Sequence, residues 1–497
     1  MPHEKPVLTI SCGPFTVYLT AYDRVVPLGR IAQDLPSATP VVWLDSARTH
    51  PVTGRWSLLG YDPWLTLISR GSRSEVRTSH DTRIVTDSPL HVLRQIVRRY
   101  QVRPHAHPAM RALGLLGFLS YELNRWIERL PEPQPGEQAT PEMLWFGMRR
   151  LLLVDHLQQE TWILSVMDPH RPTSLARREA LKAFGELQAQ VDTAMQEGLR
   201  PSQYQTARDS AECVMESTTS QAEFETMVGQ ALEFIRAGDI FQANVAQRFT
   251  TSWRRPSFPL YQALRQVNPS PFACWLSWED LAVVSCSPER LVRVRDGRVE
   301  TRPIAGTRPR GRTPQDDAIK SLELLMSEKE RAEHIMLVDL ERNDIGRLAR
   351  PGSVTVDELM TLEEYSHVIH IVSNIVGTMR RGVDAVDVIR AMFPGGTITG
   401  CPKVRCMQIL RELEPVARGL YTGSLGAIGF DGTIDLNIAI RTMVVQGDRL
   451  SFHVGAGIVA DSHPEREYHE TLAKAGALMD AIQMVNPDRE RHDARVR

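Results

Sequence analysis

The chain has 497 residues, enough at about 100–200 per domain for two to four domains or one very large one. With 42% apolar and 24% charged residues it can bury a sizeable core, which excludes a disordered or fibrous chain, and 58 basic against 60 acidic residues leave no overall basic field for nucleic acid or an anionic membrane. No apolar run approaches the ~18 residues of a membrane span, MPHEKPVLTI lacks a signal-peptide pattern, and Cys12, Cys213, Cys274, Cys286, Cys401 and Cys406 show neither CxxC pairs nor zinc-finger spacing, so a cytoplasmic protein with reduced thiols is expected.

Residues 1–165 read mainly as short strands, with VVWLDSA, GRWSLLGYDP, LTLISRG and RRLLLVDHL as β-rich runs between turn residues. PLHVLRQIVRRY interrupts them with a helix, since Leu90, Val92, Leu93, Ile96 and Val97 fall at helical spacing. A charged, alanine-rich helix is predicted from Pro172 to about Leu199, and the polar stretch RPSQYQTARDSAECVMESTTSQ is the linker. The chain is thus expected to divide into an N-terminal region 1–165, a helix and linker 166–220, a second region 221–487 and a polar tail 488–497. The second region opens on the helix AEFETMVGQALEFIRAG, capped by Gly238. Strands such as FQANVAQRFT and LSFHVGAGIVA then alternate irregularly with long helices, which points to an α+β fold.

Two acidic helices are the first candidates for chemistry. SEKERAEHIMLVDLERND places Glu330 and Glu333 three residues apart, and HPEREYHETLAKAGALMDAI places Glu467 and Glu470 at the same spacing. Paired like charges invite a cation, and carboxylates without a His or Cys cluster suit Mg²⁺. The alternative is a solvated helix face, because Lys329–Glu333 and Glu470–Lys474 are favourable i,i+4 pairs. Three glycine-bearing segments, PIAGTRPRG, FPGGTITGCPK and HVGAGIVADS, could bring backbone N–H groups close to a carboxylate or phosphate. His370 lies in an apolar alternating run, where a histidine is more often a satisfied core residue than an acid catalyst. Arg441 at the end of an apolar strand calls for an anionic ligand or salt bridge, and Tyr421 could be ordinary sheet packing.

Nine segments, GDIFQANVAQRF, NPSPFACW, CSPERL, RPIAGTRPRG, AEHIMLVDLERNDIGR, YSHVIHIVS, GGTITGCPKVR, AIRTMVV and GAGIVADSHPERE, occur in the order found in the chorismate-utilising enzymes, and the chain closely resembles that family over nearly its whole length. The resemblance implies a large α+β fold of two antiparallel sheets packed as a sandwich with helices outside, the first ~165 residues contributing to one side. It assigns Glu333 and Glu470 as Mg²⁺ ligands supported by Glu330 and Glu467. It gives catalytic roles to His370, Glu289 and Thr397, and places Pro271, Phe272, Gly306, Thr307, Tyr421, Arg441, Gly455, Ala456, Gly457 and Lys474 against chorismate. Ser46 and Arg55 fall in the region that forms an effector pocket, where Asp45-Ser46 replaces the usual Glu-Ser of feedback-inhibited anthranilate synthases.

Gln242 stands where isochorismate and salicylate synthases carry a water-activating lysine, so ammonia becomes the expected nucleophile. No glutaminase elbow is recognisable, which implies a separate glutamine amidotransferase subunit as the ammonia source. Ala305 gives PIAGT, as in anthranilate synthases, whereas QANVAQRF, GGTITGCPK and YELNRWIERLP resemble aminodeoxychorismate synthases. The preferred reading is a PIAGT-type aminodeoxychorismate synthase component I, serving para-aminobenzoate and folate synthesis. Anthranilate formation is the alternative, and a silent regulatory subunit is the reading from another class.

Overall fold

Alternation along three long strands decides the architecture. In Val41–Asp45, Trp56–Arg70 and Met143–Asp155, Val42, Leu58, Leu151 and Leu153 turn into one core while Trp43, Leu59, Leu152 and Val154 turn into another. A strand apolar on both faces has to be covered on both, so this sheet is sandwiched. The computed structural model describes residues 6–50, 53–132, 140–197, 215–311, 313–364 and 368–486; Cys213, much of the expected linker and the tail lie outside these.

Two antiparallel sheets share the strands Trp56–Arg70 and Met143–Asp155. Asp62, at φ +59°, and a register shift between Pro63 and Leu65 bend the first of these, so its two halves serve different sheets. GRWSLLGYDP and LTLISRG, which read as two runs, are therefore one strand with Pro63 at the irregularity. One sheet continues from Trp56–Arg70 through Val41–Asp45, Phe272–Trp278, Leu281–Ser287, Thr442–Gln446 and Arg449–Ile458 to Gln242–Ser252. The other continues from Met143–Asp155 through Gly114–Leu119, Ser424–Gly429, Ile434–Asn437, Arg290–Arg295 and Arg298–Arg302 to Val368–Thr378, which is flanked by Ile304–Pro309 and Thr355–Glu364. Strands from the first 165 residues enter both sheets rather than one side of the sandwich.

Between the sheets lies the core of Leu115, Phe118, Leu276, Val283, Val292 and Leu436. The outer face of the first sheet is covered by Thr173–Glu197, Ser257–Val267 and Pro464–Val485 through Phe184, Leu187, Leu264, Leu478 and Ile482. The helix Gln221–Arg236 begins with a Ser220–Glu223 capping box. It ends in a Schellman turn: Asp239 N–H bonds to Phe234 O, Gly238 N–H bonds to Ile235 O, and Gly238 takes φ +79°. Cys12, Cys274, Cys286, Cys401 and Cys406 are free thiols. No helix among the described residues is long and apolar enough to cross a membrane.

Candidate active site

The far strands of the two sheets each carry an acidic helix, and the site forms where they meet. Glu328–Gly346 packs on Val368–Thr378 and Ile304–Pro309, while Pro464–Val485 packs on Arg449–Ile458. Ser327 caps the first helix by accepting from Glu330 N–H at 3.3 Å, and buried His334 fixes its face through a 2.5 Å hydrogen bond between Nε2 and Ser373 Oγ. Burial, and then the like charges of Glu330, Glu467 and Glu470, raise the Glu333 carboxyl, with Lys329 opposing. Glu467 is buried and is likewise raised by burial, with Ser462 pulling the other way.

Glu333 therefore feels the carboxylates of both helices. The two i,i+4 pairs are present too, Lys474–Glu470 at 2.8 Å and Lys329–Glu333 at 3.9 Å, and Arg308 on a neighbouring strand pairs with Glu330 at 3.0 Å. As the side chains are placed, no three metal-ligating groups among the described residues converge on one point. The donor set is nonetheless all oxygen, acidic and only partly neutralised, which fits a hard divalent cation.

His370 is 4% exposed in Val368–Thr378, opposite Thr307 in the strand register, and its Nδ1 lies 3.4 Å from Gly306 O. Burial and the nearby Arg441 cation lower its imidazole to about 4. The Thr307 side chain itself lies outside the described residues. Gly306 takes φ +67°, a backbone conformation that favours glycine, and a Cβ there would lie 2.9 Å from the flexible end of Glu330, Oε2. Arg441, half-buried at φ +50°, donates to Asn268 Oδ1 at 3.1 Å.

On the other wall, Lys474 Nζ donates to Gly455 O at 3.0 Å. A Cβ on Gly455 would fall 2.8 Å from the Tyr421 hydroxyl and 2.5 Å from Asn244 Oδ1, and one on Gly457 would fall 2.7 Å from Gln242 Nε2. Gln242, Asn244, Tyr421 and the Gly455-Ala456-Gly457 backbone thus form one surface. The glycines are needed because side chains from the adjacent strand fill the space over them. Tyr421 sits in a turn, not in a strand, and its ring stacks on His453 at 5.3 Å. Glu289 is 5% exposed, and burial pushes it up to about 7 against the pull of the Thr397 hydroxyl and the Ile304 N–H.

Sequence reasoning missed Arg418 and Glu414. They form a buried ion pair at 2.6 Å, and Arg418 also donates to Ile398 O, Asn244 O and Thr422 Oγ1. That pair ties the 395–399 turn, the Gln242–Ser252 strand and the Tyr421 turn together. An arginine and a glutamate four apart in EPVARGLY offer no periodic signal, because the helix has already ended at Leu413.

The structure separates Pro271 and Phe272 from this site. They line a second cavity of about 670 Å³ together with Asp45, Ser46 and Arg55. Ser46 Oγ donates to Trp56 O at 2.7 Å and approaches Pro271 O at 3.4 Å, and Arg55 pairs with Asp155 at 2.6 Å. The reason is the strand pairing: Ala273 opposite Asp45 draws Pro271 and Phe272 towards Ser46 and away from the acidic helices. The Asp45 carboxylate is itself engaged, accepting from Tyr261 at 2.8 Å, Arg265 at 2.6 Å and Ser57 at 3.1 Å.

The two acidic helices on the far strands of the sheets, Arg441 and the glycine-lined wall make up the candidate site of this fold. The family profile described as chorismate binding enzyme matches residues 41–480, and the chain belongs to that family. It is 40% identical over 462 residues to anthranilate synthase component 1 of Synechocystis sp., covering 89% of this chain and 91% of that one. It is 38% identical over 445 residues to aminodeoxychorismate synthase component 1 of Bacillus subtilis, covering 89% and 92%. The crystal structure of anthranilate synthase component I from Streptococcus pneumoniae superposes with a TM-score of 0.74 at 30% identity, covering 87% of this chain and 93% of that one. The menaquinone-specific isochorismate synthase of Escherichia coli, at 16% identity and a TM-score of 0.70 over 96% of each chain, shares the fold.

Proposed function

We propose that the chain aminates chorismate to 4-amino-4-deoxychorismate, using ammonia from a glutamine amidotransferase subunit. The observation that carries the choice of nucleophile is Gln242: a neutral, buried amide against Gly457, where a water-activating enzyme of this family needs a lysine. Arg441, Lys474 and the Gly455–Gly457 backbone offer cations and N–H groups to the two carboxylates of chorismate. Glu333 and Glu470 would hold Mg²⁺, with Glu330 and Glu467 behind them. The ion, when bound, supplies positive charge to the ring carboxylate.

Glu289, pushed up to about 7, retains a proton near neutrality. His370 is neutral there, held low partly by Arg441, so a substrate carboxylate on Arg441 would raise its affinity for a proton. In this reading the two groups help the 4-hydroxyl leave as water while ammonia bonds at C2. A second ammonia then bonds at C4 and releases the C2 amine, so the net change is one nitrogen gained and one water lost. The relatives named component 1 support a chain that works with a second component.

Ala305 in PIAGT and the 40% identical anthranilate synthase relative favour the second reading, in which the C2 amine stays and pyruvate leaves. The test supplies chorismate, Mg²⁺ and ammonium chloride to the purified chain, then adds an aminodeoxychorismate lyase. Para-aminobenzoate is the expected product, and glutamine should replace ammonium only after an amidotransferase is added. Anthranilate with equimolar pyruvate before the lyase would establish the second reading. No chorismate loss at all would refute both.

A further inference from the structure

A third cavity lies apart from both the acidic helices and the space beside Ser46. Its volume is about 430 Å³, and it opens between the hairpin of Arg73–Thr78 and Thr82–Thr86, the helix Pro89–Arg99 and the turn at His170. Val85 pairs opposite Ser74, which puts it diagonal to Val76 on one face of the hairpin. Val92 and Ile96 come from one face of the helix and are 2% and 7% exposed, so the cavity has an aliphatic wall on each side. The rest of the lining is basic: Arg83 shares the hairpin face, Arg99 ends the helix, and His80 and His170 stand with them. Against these the lining holds a single carboxylate, Asp81, which Arg83 engages at 2.5 Å.

Arg99 closes no ion pair among the described residues; its guanidinium lies 5.8 Å from the centre of the Tyr100 ring. Tyr100 is 4% exposed and shares a 2.5 Å hydrogen bond with His170 Nε2, which fixes both rings in the lining. Burial lowers the His170 imidazole, Asp168 opposes this, and Arg99, His80 and Arg83 lower it further, so these cations act on one space. Asp168 does not answer them from the lining, because it is buried, accepts the His170 N–H at 2.9 Å and faces Arg149 at 3.4 Å. A cation also suits the C-terminal end of a helix, which accounts for a charge at Arg99 but not for the apolar cavity beside it.

We propose that this cavity binds a small aromatic carboxylate, with its ring between the hairpin valines and the helix and its charge at Arg99. An apolar body fits two facing aliphatic walls, a flat one best, and a single negative charge fits an end where cations outnumber carboxylates. The test is a methyl NMR titration of the full chain, labelled at its isoleucine and valine methyl groups, with sodium benzoate. The Val76, Val85, Val92 and Ile96 methyls should shift together along one saturation curve, with a Kd of about 1 mM for so small a ligand. Arg99→Leu, at an exposed helix end, should weaken binding about fivefold, the worth of one exposed ion pair. Benzyl alcohol, which keeps the ring but not the charge, should bind the parent about fivefold more weakly than benzoate.

Methyls unmoved at about 10 mM benzoate would overturn the proposal, as would a Kd that is the same in Arg99→Leu and the parent. Inorganic phosphate that shifted the same methyls as strongly as benzoate would reveal a plain anion site, and the assignment of an aromatic ligand would fall. Binding is read here without turnover, so a failure of the proposed amination would leave each of these outcomes as it stands.

Discussion

Replacing Arg418 with Met should damage both the fold and the substrate wall. The guanidinium is 2% exposed, and its N–H groups make five hydrogen bonds: two to Glu414 at 2.6 and 2.8 Å, and one each to Ile398 O at 3.0 Å, Thr422 Oγ1 at 3.2 Å and Asn244 O at 2.5 Å. Removing it strands Glu414, whose Oε1 retains only the Ala246 N–H at 3.0 Å. Breaking one side of a buried pair costs about 3–5 kcal/mol. Because Arg418 holds the turn that presents Tyr421, the KM for chorismate should rise about tenfold, the equivalent of about 1.4 kcal/mol. Urea unfolding and steady-state kinetics read the two effects. The double variant Arg418→Met with Glu414→Met should recover part of the stability, since no charge is then left unpaired, without restoring KM. A single variant that loses under about 1 kcal/mol with KM unchanged would refute the reasoning, as would a double variant whose loss is the full sum of the singles.

Two further outcomes are expected. Gly455→Ala should weaken chorismate turnover and cost about 1–3 kcal/mol, because the new Cβ meets Val245 O at 2.9 Å, a strand backbone that cannot swing away; kinetics as in the parent would contradict this. His453 is held neutral by burial, which lowers it from 6.5 to about 3, so its contribution to stability is present above 6.5 and is lost as pH falls below that value. Glu289 drifts in the opposite sense, so the difference between variant and parent is the quantity to measure. His453→Phe should gain about 1 kcal/mol on the parent between about pH 6.5 and about pH 5.5, and a pH-independent difference in urea midpoint would contradict it.

Much of this protein could be read before any coordinates. β-rich apolar runs between turn residues marked the strands, Gly238 marked a helix stop, and i,i+3 glutamates marked the two acidic helices. These signals are local: each depends on residues within one or two turns of chain, where spacing and backbone chemistry act directly. What the sequence could not decide was which distant segments meet. The bend at Asp62, which gives one strand to two sheets, becomes visible only when Met143–Asp155 pairs along it. Pro271 and Phe272 belong with Ser46 because Ala273 pairs with Asp45, two hundred residues earlier in the chain. The Arg418–Glu414 pair acts on Asn244 and Ile398. Burial of a charge is set by everything packed around it, so which groups are perturbed is a property of the tertiary structure.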